Sequence, residues 1–136
     1  MLQVIHGKKG SGKTKRILDM ANHSIKDQKV DVVFIDDDNR YMFDLRHEVR
    51  FINAGEFGIV SPEMFLGFLC GMLAQNFDVG LVFVDAFLKL VKTDIHETEW
   101  FFRRLEALSD QHSVDFVLSI SGDDADMPPY VQQYFI

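Results

Sequence analysis

A chain of 136 residues with 47% apolar and 12% aromatic side chains carries enough apolar material for one packed domain, which excludes a disordered polymer. Its formal charge of -7 argues against general nucleic-acid binding, which rests on many Lys and Arg contacts to phosphates. The lone cysteine, Cys70, excludes an intramolecular disulfide and points to a reducing compartment. No uncharged apolar run reaches about 18 residues, so no membrane span is expected. Nothing precedes the first glycine motif that reads as a signal peptide, and a cytoplasmic protein is expected.

In chain order, Leu2 to His6 reads as a short strand. It leads into Gly7-Lys8-Lys9-Gly10-Ser11-Gly12-Lys13-Thr14, which fits G-x-x-x-x-G-K-[ST] without gap or substitution. Ile17, Leu18, Ala21 and Ile25 then recur on one helical face, predicting a helix from about Gly12 to Ser24. A strand ending in a glycine-rich loop that opens into a helix directs several backbone N–H groups into one concavity, with the helix dipole behind them. Residues 7–15 are therefore the expected polyphosphate cradle, with Lys13 on the β- and γ-phosphates and the Thr14 hydroxyl on Mg²⁺. Lys8, Lys9, Lys15 and Arg16 add positive charge around it.

After the polar stretch 26–29, residues 30–35 form a nearly continuous β-branched and apolar run, suited to a strand covered on both faces. It ends in Asp36-Asp37-Asp38-Asn39-Arg40-Tyr41, an acidic turn expected on the same side as the glycine loop. Residues 42–48 have no clear pattern, residues 49–53 read as a short edge strand, and residues 54–58 as a loop. Ser61-Pro62-Glu63 is a helix start with N-cap serine, proline at the first position and an acid in the first turn. The helix that follows is apolar on nearly every side up to Gln75, which predicts burial on most sides. Gly67 and Gly71 would admit a close backbone neighbour, and one face of this helix is an alternative subunit interface, as in a homo-oligomer.

Residues 80–85, Gly-Leu-Val-Phe-Val-Asp, place an aspartate after four apolar residues. At the carboxyl end of a strand beside the glycine loop, Asp85 is the expected partner of Thr14 in holding Mg²⁺. Residues 87–92 read as a helical turn or a connection. A further helix starts near Asp94 or Thr98, with Phe101, Phe102, Leu105 and Leu108 on one face. Residues 115–121 read as the last core strand, with Ser119 and Ser121 on one side by period two and a hydroxyl there within reach of the terminal phosphate or its attacking water. Gly122-Asp123-Asp124 turns the chain toward a short C-terminal segment. With no repeat or linker in between, residues 1–136 are read as a single nucleotide-binding domain.

With the loop and Asp85 in place, the chain resembles the P-loop NTPase superfamily. The resemblance implies a three-layer α/β sandwich with a mostly parallel five-stranded sheet and helices on both faces, binding an Mg–nucleoside triphosphate. A last strand lying between the loop strand and the Asp85 strand would make it RecA-like. The run Asp38-Asn39-Arg40-Tyr41 together with Val84-Asp85 is also similar to the thymidine kinase family, and the opening G-K-K-G-S-G-K-T is similar to that of short bacterial P-loop ATP-binding proteins. Ala86 stands where the kinases have a catalytic Glu, and one cysteine cannot supply their zinc site.

The expected function is thus binding of a nucleoside triphosphate, ATP by default, with Mg²⁺, accompanied by slow hydrolysis or a nucleotide-sensing role. The alternative is a small nucleoside or nucleotide kinase-like phosphotransferase. With no Glu after Asp85, Lys13 and either Asp36 or Asp37 are the residues left for catalysis, and Asp123 stands behind them.

Overall fold

The computed structural model describes residues 1–26 and 29–136. Asp27 and Gln28 of the polar stretch at 26–29 lie outside the described residues. The elements are β1 (Leu2–Gly7), α1 (Lys13–Ser24), β2 (Asp31–Asp36), β3 (Val49–Asn53), α2 (Pro62–Gln75), β4 (Val79–Val84), α3 (Phe87–Val91), α4 (Glu99–His112), β5 (Asp115–Ser121) and α5 (Pro129–Gln132). Short 3₁₀ turns occupy Met42–Asp44 and Ala54–Phe57, where no strand or helix pattern is present in the sequence.

The strands form one sheet of five in the order β1-β5-β4-β2-β3, and every pairing is parallel. The near-continuous apolar runs of β2, β4 and β5 follow from burial on both faces. On one face, Val33, Ile35, Val82, Val84, Phe116 and Leu118 pack against Phe65 of α2, Phe87 of α3 and Phe101 and Phe102 of α4. On the other, Val32, Phe34, Phe83 and Val117 meet Ile17, Leu18 and Ala21 of α1. Phe87 is completely buried, with its ring centroid 5.1 Å from that of Phe101. A fully buried side chain of this size contributes about 1.5–3 kcal/mol from apolar burial alone.

Helix α2 starts as its sequence dictates: the Met64 N–H donates to the Ser61 hydroxyl at 3.1 Å, with Pro62 in the first turn. Its burial is narrower than the all-apolar sequence predicts. Phe65, Leu66, Leu69 and Leu73 face the core, whereas Met64 is 46% exposed. A Cβ placed at Gly67 or Gly71 would meet nothing within 4 Å, so these glycines serve no close backbone approach among the described residues. One layer of strand side chains suffices to cover only one stripe of a helix lying on the outside of a sheet.

The outer edge of β1 is capped at Val4 by the C-terminal residues. The Val4 N–H donates to the Tyr134 carbonyl at 2.8 Å, and the Ile136 N–H donates to the Val4 carbonyl at 3.0 Å. β3 forms the opposite end of the sheet. Because all strands run the same way, Gly7, Asp36, Val84 and Ser121 end at one rim of the sheet. Parallel sheets collect ligands at that rim.

Candidate functional site

The glycine-rich loop connects β1 to α1 in a conformation that its glycines permit. Gly10 and Gly12 sit at φ 82° and 92°, in a region that a side chain makes costly. The Ser11 N–H closes a turn onto the Lys8 carbonyl at 3.1 Å, and the first helical bond runs from the Arg16 N–H to the Gly12 carbonyl at 3.1 Å. The amides of Lys13, Thr14 and Lys15 therefore have no acceptor within the helix, and the positive end of the α1 dipole lies with them. The Lys13 side chain folds over this loop, its Nζ donating to the Lys8 carbonyl at 2.8 Å and to Ser11 Oγ at 3.4 Å. Partial burial lowers the Lys13 pKa below the usual lysine range, and the charge of Asp85 opposes that shift.

Asp85 follows the last residue of β4 and is 3% exposed. Its two carboxylate oxygens have separate partners. Thr14 Oγ1 donates to Oδ2 at 3.0 Å, joining the first residues of α1 to the end of β4. The Ser119 hydroxyl donates to Oδ1, reaching across from the adjacent strand β5. Ser119 Oγ in turn accepts the Ala86 N–H at 2.8 Å. Ala86 is at φ 53°, a left-handed turn that swings the chain from β4 into α3. One serine thus fixes both the carboxylate and the backbone turn beside it.

These groups share a cavity of about 600 Å³, lined by Gly10, Gly12, Lys13, Thr14, Asp85 and Lys89 among others. Of the other loop lysines, Lys9 lines this cavity, while Lys15 lies along α1 beside Leu18 and Asp19. Gly7 and Ser11 shape the loop, and Lys8 contributes its carbonyl to Lys13. Thr14 and Asp85 are the pair suited to a hard divalent cation, since both offer oxygen and one is anionic.

Asp36 and Asp37, the residues expected to act as base, stand behind this cavity, not in its wall. Asp36 is 2% exposed; its Oδ1 accepts the Asp37 N–H at 2.8 Å, and its Oδ2 is buried with no hydrogen-bond partner among the described residues. Burial first, then the Asp37 side chain and the charge of Asp85, push its pKa up to about 8. At neutral pH Asp36 is therefore mainly a neutral acid that has a proton to donate. Asp37 is more accessible and pairs with Lys89 Nζ at 3.2 Å. Asp38 is paired with Arg40 at 2.9 Å, and one carboxylate oxygen from each of Asp36, Asp37 and Asp38 lies within 4.8 Å of the others. Asp123 caps its own turn, accepting the Ala125 N–H. His6, at the end of β1, stacks on Phe135 at 3.7 Å and bonds Asp124.

The structure thus brings together Lys13, Thr14 and Asp85 and sets Asp36 and Asp37 apart from them. Two participants carry no strong signal in the sequence. Period two places Ser119 on the right face of β5, but its commitment to Asp85 and to the Ala86 amide depends on which strand lies alongside. Lys89 looks like any solvated lysine, and only its position one turn beyond Asp85 hints otherwise. In comparisons with known proteins, no family model and no curated sequence matches this chain.

Proposed function

We propose that this chain binds an Mg–nucleoside triphosphate, with ATP as the reference ligand, through residues 7–15, and that nucleotide-dependent binding outweighs turnover. The observation that carries this reading is the 3.0 Å contact of Thr14 Oγ1 with Asp85 Oδ2 on the wall of a cavity that Lys13 also lines. A glycine loop with unpaired helix-start amides suits a polyphosphate. Lys13 adds a point charge for the outer phosphates, and Thr14 with Asp85 would hold Mg²⁺, which when bound neutralises phosphate charge.

The same geometry limits catalysis. A base must come within hydrogen-bond reach of the proton it removes, and the residue next to Asp85 is Ala86. Asp36 holds its own proton at neutral pH, for the reason given above. Asp37, more accessible than Asp36 and paired with Lys89 at 3.2 Å, is the better candidate and is the group on which the second reading, a slow hydrolase or small phosphotransferase, rests.

Thermal-shift measurements with and without Mg-ATP test the binding reading. A ligand at 100 times its Kd adds about 2.7 kcal/mol to stability, so the melting temperature should rise clearly with Mg-ATP. It should rise little for Lys13→Ala, and for Asp85→Asn the effect of Mg²⁺ should vanish. Equal shifts in the parent and in Lys13→Ala would defeat the reading. Phosphate release that matches the rate of efficient kinases, about 1–100 s⁻¹, would reverse the ranking of binding over turnover.

A further inference from the structure

Lys89 occupies a shared wall between two hollows at the rim of the sheet. On one side it lines the cavity of about 600 Å³ with Lys13, Thr14 and Asp85. On the other it lines a smaller hollow of about 230 Å³ with Asp37, Gly55 and Lys92. Its ammonium faces the second hollow, paired with the Asp37 carboxylate at 3.2 Å. Its side chain is 64% exposed and starts from α3, one turn beyond Asp85, so it is free to change partners by rotation about its own bonds.

The two sides compete for one cation. Asp37 offers a single negative charge at a half-buried carboxylate. The terminal phosphate of a triphosphate offers up to two charges and several oxygens, each a stronger acceptor for an ammonium group. A diphosphate bound by the same loop ends one phosphate earlier and offers much less to a side chain on the far side of the cavity.

Resting on the nucleotide reading above, we propose that Lys89 is a terminal-phosphate sensor, which leaves Asp37 for the outermost phosphate of a bound triphosphate and thereby reports the nucleotide state to the hollow between α3 and the 54–58 turn. Loss of Lys89 alters that hollow in two ways. A positive group leaves its wall, and Asp37 loses its ion pair while remaining next to Asp36. The 54–58 turn lies directly against this point, since a Cβ at Gly55 would come within 2.8 Å of the Asp37 carbonyl oxygen. A rearrangement that moves the Asp37 backbone would therefore press on that turn. Nucleotide-dependent binding of a further ligand would use this side of the molecule.

Isothermal titration of the full chain with Mg-ADP and with a non-hydrolysable Mg-ATP analogue tests the proposal. The parent should bind the triphosphate more tightly than the diphosphate. Lys89→Met should lower triphosphate affinity about tenfold, the worth of one charge-assisted contact, while changing diphosphate affinity less than about twofold. Lys89→Arg should restore most of the preference. Asp37→Asn, which removes the competitor, should raise triphosphate affinity about threefold, and that gain should disappear when combined with Lys89→Met. An unchanged triphosphate-to-diphosphate ratio in Lys89→Met, or an equal loss for both nucleotides, overturns the sensor alone. A parent that binds neither nucleotide overturns the sensor together with the reading on which it rests.

Discussion

Replacing Asp36 by Asn is expected to stabilise the protein, and by more at high pH than at low. The native carboxyl is 2% exposed, and its pKa is raised from 3.8 to about 8, chiefly by burial and then by Asp37. Between those two values the folded chain keeps a proton that the unfolded chain has released. Unfolding then releases a proton, so each rise in pH within this window favours the unfolded state. The stabilisation from holding that proton is complete below the unfolded value and is lost as pH approaches the folded one. A fully expressed difference is worth about 1.4 kcal/mol per pH unit. Asn keeps an oxygen for the Asp37 N–H, now held at 2.8 Å, and has an amide to donate toward the Asp37 carboxylate. It carries no proton to lose. Urea unfolding of parent and variant at about pH 5, 6, 7 and 8 should give a stability difference that grows by about 3–4 kcal/mol across the series. A difference that stays flat, or narrows as pH rises, would refute the assignment of a neutral Asp36 in the folded state.

Two further outcomes test other parts of the molecule. Ser119→Ala strips a partner from both the Asp85 carboxylate and the Ala86 amide; leaving such buried groups unpaired should cost about 1–3 kcal/mol in urea unfolding and weaken the Mg²⁺ dependence of nucleotide binding. Ser113 ends α4 at φ 53°, a conformation that glycine adopts without penalty. Ser113→Gly should therefore raise stability by about 0.5–1 kcal/mol, read as a higher denaturant midpoint at unchanged slope.

The strands were the most legible part of the chain. Residues 49–53 are β3 as expected, and β2 follows the apolar run closely, because a strand buried on both faces leaves a β-branched signature that no other element needs. Helix α2 was legible in its cap and not in its burial. Ser61 and Pro62 act locally, whereas which side of α2 meets solvent depends on the width of the sheet beneath it. All strands proved parallel, not most of them, since the hairpin that an antiparallel edge requires is replaced by the 3₁₀ turn at Met42–Asp44. At the site, Gly10, Gly12 and Thr14 could be placed from a local motif. The roles of Ser119 and Lys89 arise between elements far apart in sequence, and the neutrality of Asp36 arises from burial that no local pattern encodes. Carboxylates at positions 36 and 37 look identical on paper; only packing buries one of them and raises its pKa, while its neighbour reaches Lys89.

The docking of residues 134–136 along β1 has a bearing on self-association. Strand ends left bare on both sides of a sheet let copies add without limit, as in fibrils. Here the chain itself caps one flank at Val4, which blunts that flank as a template for a second copy and leaves β3 as the more open side.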